Sequence, residues 1–297
     1  MTRVLPIVHH PAYRAETPAG HRFPMEKFAR LSQVLVDEGL VPEGFHRPEP
    51  ADFETVARLP GEVERRIGLP ITPSVALRSR AAVGGTLLTA RLALEHGLAC
   101  NTAGGSHHAG RSHGAGFCTF NDVAVAAAAL LAEGRISKAL VVDLDVHQGD
   151  GTAEIFADDP RVFTLSVHAA KNFPARKVAG DLDVALEDGA EDEAYLEALE
   201  AVLPGVLGAE RPDLVFFNAG VDPHRDDKLG RLALSDAGLA RREALVLDAC
   251  LTRGLPVAGV IGGGYGDDID ALARRHATLY RAAQAAFSRL SSPGNGP

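Results

Sequence analysis

Along this chain, short runs of aliphatic and β-branched residues alternate with longer stretches whose apolar positions recur every three or four residues. The short runs lie at residues 5–9, 98–102, 139–146, 162–167, 214–218 and 257–261. Their nearly unbroken apolar character predicts strands covered on both faces. The longer stretches, at 26–37, 74–96, 121–132, 191–207, 235–252 and 267–289, carry the period of amphipathic helices. Ser74 and Ser235 stand where helix N-caps belong, and Gly97 and Gly254 where helices stop. Strands alternating with helices imply an α/β fold: a mostly parallel sheet with helices on both faces. No internal repeat, low-complexity tract or long linker interrupts the pattern. The expectation is one domain over residues 1–290 and a disordered tail at 291–297.

The run Val141-Val142-Asp143-Leu144-Asp145-Val146-His147-Gln148-Gly149-Asp150 departs from that apolar rule. If it continues as a strand, Asp143, Asp145 and His147 project to one side, roughly 6.6 Å apart at about 3.3 Å per residue. Two carboxylates and an imidazole on an apolar strand are costly unless compensated, and a divalent cation compensates them. Other strand ends also deliver chemistry: Gly104-Gly105-Ser106-His107-His108, Ala219-Gly220-Val221-Asp222 and Gly262-Gly263-Gly264-Tyr265. A parallel sheet gathers such ends at one edge, where ligands bind in folds of this class.

Asp145, His147 and Asp222 are the candidate metal ligands, since a catalytic zinc site uses about three protein ligands and leaves a position open. Two carboxylates neutralise a divalent ion, so such a site needs a separate base. His107 and His108 can supply it, one neutral imidazole taking a proton from water and a charged one protonating a departing amine. Asp143 and Asp150 would orient those rings. Tyr265 could donate its phenol to a substrate carbonyl, and Gly116, Phe117 and Phe173 could wall a narrow apolar channel. Each has a plainer reading: a buried Asp–His pair, solvated loop histidines, a structural tyrosine, or phenylalanines in a satellite core. The other nine histidines lack a comparable constellation and read as structural or surface residues.

Composition narrows the function. A chain of 297 residues that is 46% hydrophobic can bury a large core. The net charge of −9 speaks against nucleic-acid binding. No run of roughly 18 apolar residues suggests a membrane span, and no signal-peptide pattern opens the chain. Cys100, Cys118 and Cys250 form no Cys-x-x-Cys pair, so neither a disulfide framework nor a thiolate zinc site is expected. A reducing cytoplasm fits that usage, and 25 arginines against 5 lysines is the bias of a GC-rich bacterial genome.

Taken together, Gly104–His108, Phe117, Asp143–Gly151, Asn218–Asp222 and Gly262–Tyr265 resemble the motifs of the histone deacetylase superfamily. His21-Arg22-Phe23-Pro24-Met25 and Lys171-Asn172-Phe173-Pro174 look most like its class IV branch and bacterial relatives. The resemblance spans residues 9–285 and implies the arginase–deacetylase fold, with a parallel sheet of about eight strands. It implies zinc, or iron in some members, on Asp145, His147 and Asp222, and an acid/base pair at His107 and His108 backed by Asp143 and Asp150. It also implies a carbonyl-polarising Tyr265, an acyl-lysine channel at Phe117 and Phe173, and a monovalent cation such as K+ near Asp143 and Ser166. Gln148 stands where many eukaryotic members carry histidine, a position that is neither ligand nor base. The expected activity is hydrolysis of an N-acylated amine, whether acyl-lysine, acyl-polyamine or another small acylated amine. An arginase-type ureohydrolase and a non-catalytic acyl-binding module are the alternatives, and oligomeric state is left open.

Overall fold

Four of the strand ends expected to carry chemistry belong to adjacent strands. The computed structural model describes residues 4–52, 66–70 and 72–290, so the expected tail at 291–297 lies outside the described residues. Among these residues, seven strands form one parallel sheet: β1 (Ile7–Val8), β2 (Leu98–Asn101), β3 (Ala139–Asp143), β4 (Val162–Ala169), β5 (Leu182–Leu186), β6 (Leu214–Asn218) and β7 (Val257–Val260). Their order is β1-β2-β7-β6-β3-β4-β5. The late strands β6 and β7 fill the gap between β2 and β3, so the four chemistry-bearing ends are consecutive in the middle of the sheet. Ligand sites in open parallel sheets form beyond such ends.

The helices are α1 (Lys27–Asp37), α2 (Pro73–His96), α3 (Asp122–Ala132), α4 (Asp150–Phe156), α5 (Asp192–Glu210), α6 (Asp236–Leu251) and α7 (Ile269–Leu290). Alternate side chains of the central strands feed opposite faces. Leu140, Val142, Val215 and Phe217 join a core with Leu31, Leu199, Leu247 and Tyr280. Val141, Leu214 and Phe216 join a second core with Ala90, Ala127, Leu130 and Phe156. Burial on both faces explains why these strands read as continuous apolar runs.

Three local expectations change. The cap of α2 is Thr72, whose hydroxyl accepts from the Val75 amide at 3.2 Å, with Pro73 as the first helical residue; Ser74 lies inside the helix. An unexpected strand, β5, sits at the sheet edge, where half-buried Leu182, Val184 and Leu186 alternate with exposed Asp183 and Ala185. The most consequential change is in β3, which ends at Asp143 rather than running to residue 146. The Leu144 amide still donates to the Asn218 carbonyl at 3.0 Å. Beyond it the backbone amides turn to carboxylates: Asp145 N to Asp143 Oδ1 (3.2 Å), Val146 N to Asp222 Oδ1 (2.9 Å) and His147 N to Asp145 Oδ1 (2.9 Å). Aspartates that bond the amide two residues on compete with a sheet ladder and bend the chain. Leu144 and Val146 stay fully buried in this bend, which is why the apolar pattern imitates a longer strand.

Candidate metal centre and active site

The loop after β2 must turn two adjacent imidazoles into one site, and backbone close approach makes this possible. Gly105 has φ +79°, and a Cβ there would lie 2.4 Å from Asn218 Oδ1 and 2.6 Å from the Gly262 Cα. The loop is held by Asp122, fully buried at the start of α3, whose carboxylate accepts from the Gly105 amide (3.1 Å), the Ser106 amide (2.8 Å) and the Thr86 hydroxyl (2.6 Å). Asn121 caps α3 through the Ala124 amide and donates to the Ala109 carbonyl at 3.2 Å. The rings of His107 and His108 end 4.1 Å apart between centroids.

Each ring is anchored through Nδ1. His107 bonds Asp143 Oδ2 at 2.7 Å, and His108 bonds Asp150 Oδ1 at 2.5 Å. Asp143 is itself fixed, since its Oδ1 accepts from Asn218 Nδ2 at 2.9 Å. Burial opposes charge on His107, but Asp143 and Asp145 outweigh it and hold its pKa up at about 9. Burial, reinforced by the charge of His107, pushes His108 down to about 4 despite Asp150.

Beside the pair, Asp145, His147 and Asp222 are all buried, with one donor atom from each within 4.8 Å of the others. His147 Nδ1 lies 2.9 Å from Asp145 Oδ1 and 3.1 Å from Asp222 Oδ2. Burial resists an imidazolium at His147, yet the two carboxylates raise its pKa to about 10. Burial would raise Asp145, but the charges of His107 and His147 hold it well below the usual carboxylate range. Burial and the Asp145 charge push Asp222 up to about 7. Two carboxylates and one imidazole buried together form a donor set that suits zinc or iron, and concentrate the negative charge such a cation would neutralise.

The β7 loop closes the site. The Gly263 amide donates to Asp145 Oδ2 at 2.7 Å, and a Cβ at Gly263 would lie 2.0 Å from Asp222 Oδ2. No larger residue fits between the two acids. The Tyr265 ring stands nearly perpendicular to that of His147, 6.3 Å away. Burial and the charges of Asp145 and Asp222 raise its pKa, keeping the phenol protonated. Phe117 packs 5.8 Å from Tyr265, and Phe173 stands edge-on to His108 at 4.8 Å while remaining 46% exposed. Gly116 lies between them, where a Cβ would meet His108 Cδ2 at 2.4 Å and Phe173 at 3.1 Å. A small cavity of about 30 Å³ bordered by His107, His108, Phe117, Asp145, Gly263 and Tyr265 opens here. A groove of about 530 Å³ adjoins Tyr265 along His21–Met25 and Lys228–Leu229.

Every residue expected at the site is therefore brought to one rim. Asp143 and Ser166, expected near a monovalent cation, are register partners on β3 and β4. Gln148 donates through Nε2 to the Val178 carbonyl and to Asp183 Oδ1, each at 2.8 Å.

Residues 27–282 match the histone deacetylase domain. The chain belongs to that family. An uncharacterised protein of Picosynechococcus sp. is 49% identical over 294 residues, covering 94% of this chain and 98% of that protein. Histone deacetylase 2 of Arabidopsis thaliana is 35% identical over 190 residues, 63% of this chain and 49% of that protein. A probable deacetylase of Methanothermobacter thermautotrophicus is 31% identical over 224 residues, covering 71% of this chain and 66% of its own length. The match thus spans about half of the plant relative. The crystal structure of the HDA15 HD domain superposes with a TM-score of 0.78 at 23% identity, over 95% of this chain and 89% of that one. The sheet and surrounding helices are those of the deacetylase fold, and family and fold together support deacetylase-type amide hydrolysis. No helix among the described residues is long and apolar enough to cross a membrane.

Several residues that shape the site carry no sequence motif of their own. Asp122 is one. Asp227 is another: its carboxylate accepts from the Tyr265 amide at 2.6 Å and from the Leu229 and Gly230 amides, tying the Asp222 loop to the tyrosine. Lys27 is a third, 1% exposed, with Nζ 3.2 Å from the Gly264 carbonyl and 5.6 Å from the Tyr265 ring. Burial lowers its pKa to about 8. His276, set aside as structural, packs against Gly264. Asp122 and Lys27 are charged residues buried at helix starts, a signal that names no partner, and Asp227 lies in a loop without even that signal.

Proposed function

We propose that the protein is a metal-dependent deacylase that hydrolyses the amide of an N-acylated amine, foremost an acyl-lysine side chain. The observation that carries this is one rim holding three buried metal-type donors, two histidines each bonded through Nδ1 to an aspartate, and a tyrosine whose ring stands 6.3 Å from that of His147. Asp145, His147 and Asp222 would hold the cation, Zn2+ or Fe2+. When bound, it supplies Lewis-acid polarisation of the acyl carbonyl and makes water more acidic.

The chain's own groups divide the remaining work. Tyr265 donates its phenolic proton toward the acyl oxygen as negative charge develops there. His108, neutral at pH 7 with Nδ1 committed to Asp150, accepts the proton of the attacking water at Nε2. His107, bonded through Nδ1 to Asp143, is placed to give a proton to the departing amine, which leaves poorly as an anion. Phe117 and Phe173 flank the acyl-bearing chain, and Gly116 leaves it room. The 530 Å³ groove beside Tyr265 can take the body of a peptide, and it equally admits an acyl-polyamine or another small amine. The same reading extends to K+ near Asp143 and Ser166, and to a single catalytic domain over residues 1–290.

The test is release of acyl groups from a panel of acyl-lysine peptides and acyl-polyamines by the metal-reconstituted protein. Tyr265→Phe and Asp222→Ala should each depress turnover strongly, and unchanged turnover in both overturns the assignment. One catalytic ion per chain agrees with deacylation. Two would favour arginase-type chemistry, and tight acyl-lysine binding without cleavage would mark a binding module.

A further inference from the structure

The two loops that carry the candidate ligand carboxylates meet at one buried cation. Arg242, on α6, is fully buried. Its Nε and Nη2 bond the carboxylate of the adjacent Glu243 at 3.2 and 2.6 Å. Its Nη1 donates to two backbone carbonyls, that of Leu144 at 3.0 Å and that of Gly220 at 2.8 Å. Leu144 immediately precedes Asp145, and Gly220 stands two residues before Asp222. One nitrogen therefore bridges the loop after β3 and the loop after β6. The Tyr195 hydroxyl, from α5, reaches the same Leu144 carbonyl at 3.4 Å.

Contact between the bridged segments and the acids is direct. A Cβ at Gly220 would lie 2.6 Å from Asp145 Oδ2 and 2.8 Å from the Asp145 Cα. Any displacement of the Gly220 backbone is thus transmitted to Asp145 with little slack, because packed interiors yield poorly. Glu243 balances the guanidinium charge, so the effect on the acids is one of geometry. A buried ion pair is weak evidence for stability, since apolar residues of similar volume often serve the core as well. The carbonyl bridge is what an apolar pair could not reproduce.

We propose that Arg242 is a positioning residue that fixes the separation of the Asp145 and Asp222 loops and thereby sets the site's affinity for a divalent cation. The proposal rests on assigning the metal to Asp145, His147 and Asp222. Groups that orient ligands from behind typically change metal affinity 10–100-fold when removed.

The test compares the full-length wild type with two variants: Arg242→Lys, and Arg242→Met combined with Glu243→Leu, which replaces the pair by apolar volume. Co2+ affinity is measured by chelator competition, alongside the visible absorption of bound Co2+ and the melting temperature of the metal-free proteins. The double variant is expected to fold, to bind Co2+ about 10–100-fold more weakly and to show an altered Co2+ spectrum. Arg242→Lys should fall between, because an ammonium on a shorter stem cannot serve Glu243 and both carbonyls with the guanidinium's fork. A merely structural role would lower the melting temperature and leave Co2+ affinity and spectrum as in the wild type, overturning the proposal. If the double variant fails to fold, wild-type Co2+ affinity in Arg242→Lys is decisive against it. Failure of the underlying metal assignment looks different: wild-type Co2+ binding would then be absent or unaffected by Asp222→Ala.

Discussion

His107 and His108 are neighbours in the chain, each bonded through Nδ1 to an aspartate, yet they hold their protons very differently. His107 lies between two carboxylates, Asp143 at 2.7 Å and Asp145 at 3.7 Å from its other nitrogen, and these outweigh the burial that opposes charge. His108 has one carboxylate, Asp150, at the edge of the site and 14% exposed, with the charged ring of His107 against it. With no cation bound, these surroundings favour charge on the first histidine and disfavour it on the second. The role of an Asp–His pair follows from the other charges around it, and environments that drive two groups apart mark the acid and the base.

The sharpest way to break this comparison is to delete each imidazole. His108→Gln should lower kcat by about 10²–10⁴-fold, the usual worth of a positioned base. His107→Gln should cost less, because water can protonate the amine more slowly. Equal losses, measured on one acyl-lysine substrate, would erase the proposed division of labour.

A second test reads stability against pH in metal-free protein. His107 has a folded pKa above its ordinary 6.5, so its stabilisation is complete below pH 6.5 and is lost as pH rises toward 9. His108 has a folded pKa below 6.5, so stability falls as pH drops from 6.5 toward 4, where only the unfolded chain takes the proton. Denaturant titrations should show His107→Gln flattening the alkaline limb and His108→Gln the acid limb, each by at most roughly 3 kcal/mol. The opposite pairing of variant and limb would refute the assignment.

The smallest effect concerns Phe173, whose ring stands edge-on to His108. Phe173 is nearly half exposed, so Phe173→Ala should leave stability within about 0.5 kcal/mol. It should shift KM or acyl-length preference more than kcat. A large loss of kcat would mean that the edge-on contact holds the His108 ring in place.

The fold was legible wherever strands are buried on both faces, as in β3, β6 and β7, because their apolar runs admit few other readings. The edge strand β5 carries a weak signal because only Leu182, Val184 and Leu186 face inward. The meeting of Asp145, His147 and Asp222 was expected, but a continuous strand was the wrong reason. The acids bend the chain themselves by capping amides, and Asp222 completes the turn by accepting from Val146. Asp122, Asp227 and Arg242 were illegible for a common cause. Each ties its loop to a backbone group remote in sequence, Asp122 to Gly105, Asp227 to Tyr265 and Arg242 to Leu144 and Gly220, and such partners leave no residue pattern to find.

On the proposed function, Asp145, His147 and Asp222 hold one divalent cation. Elemental analysis of purified protein after zinc reconstitution and removal of free metal tests it most directly, with Asp145→Asn and Asp222→Asn in parallel. About one zinc per chain is expected in the wild type and far less than one in either variant, with both variants folded. Retention of a full equivalent of zinc by the folded variants, or its absence from the wild type, would contradict it.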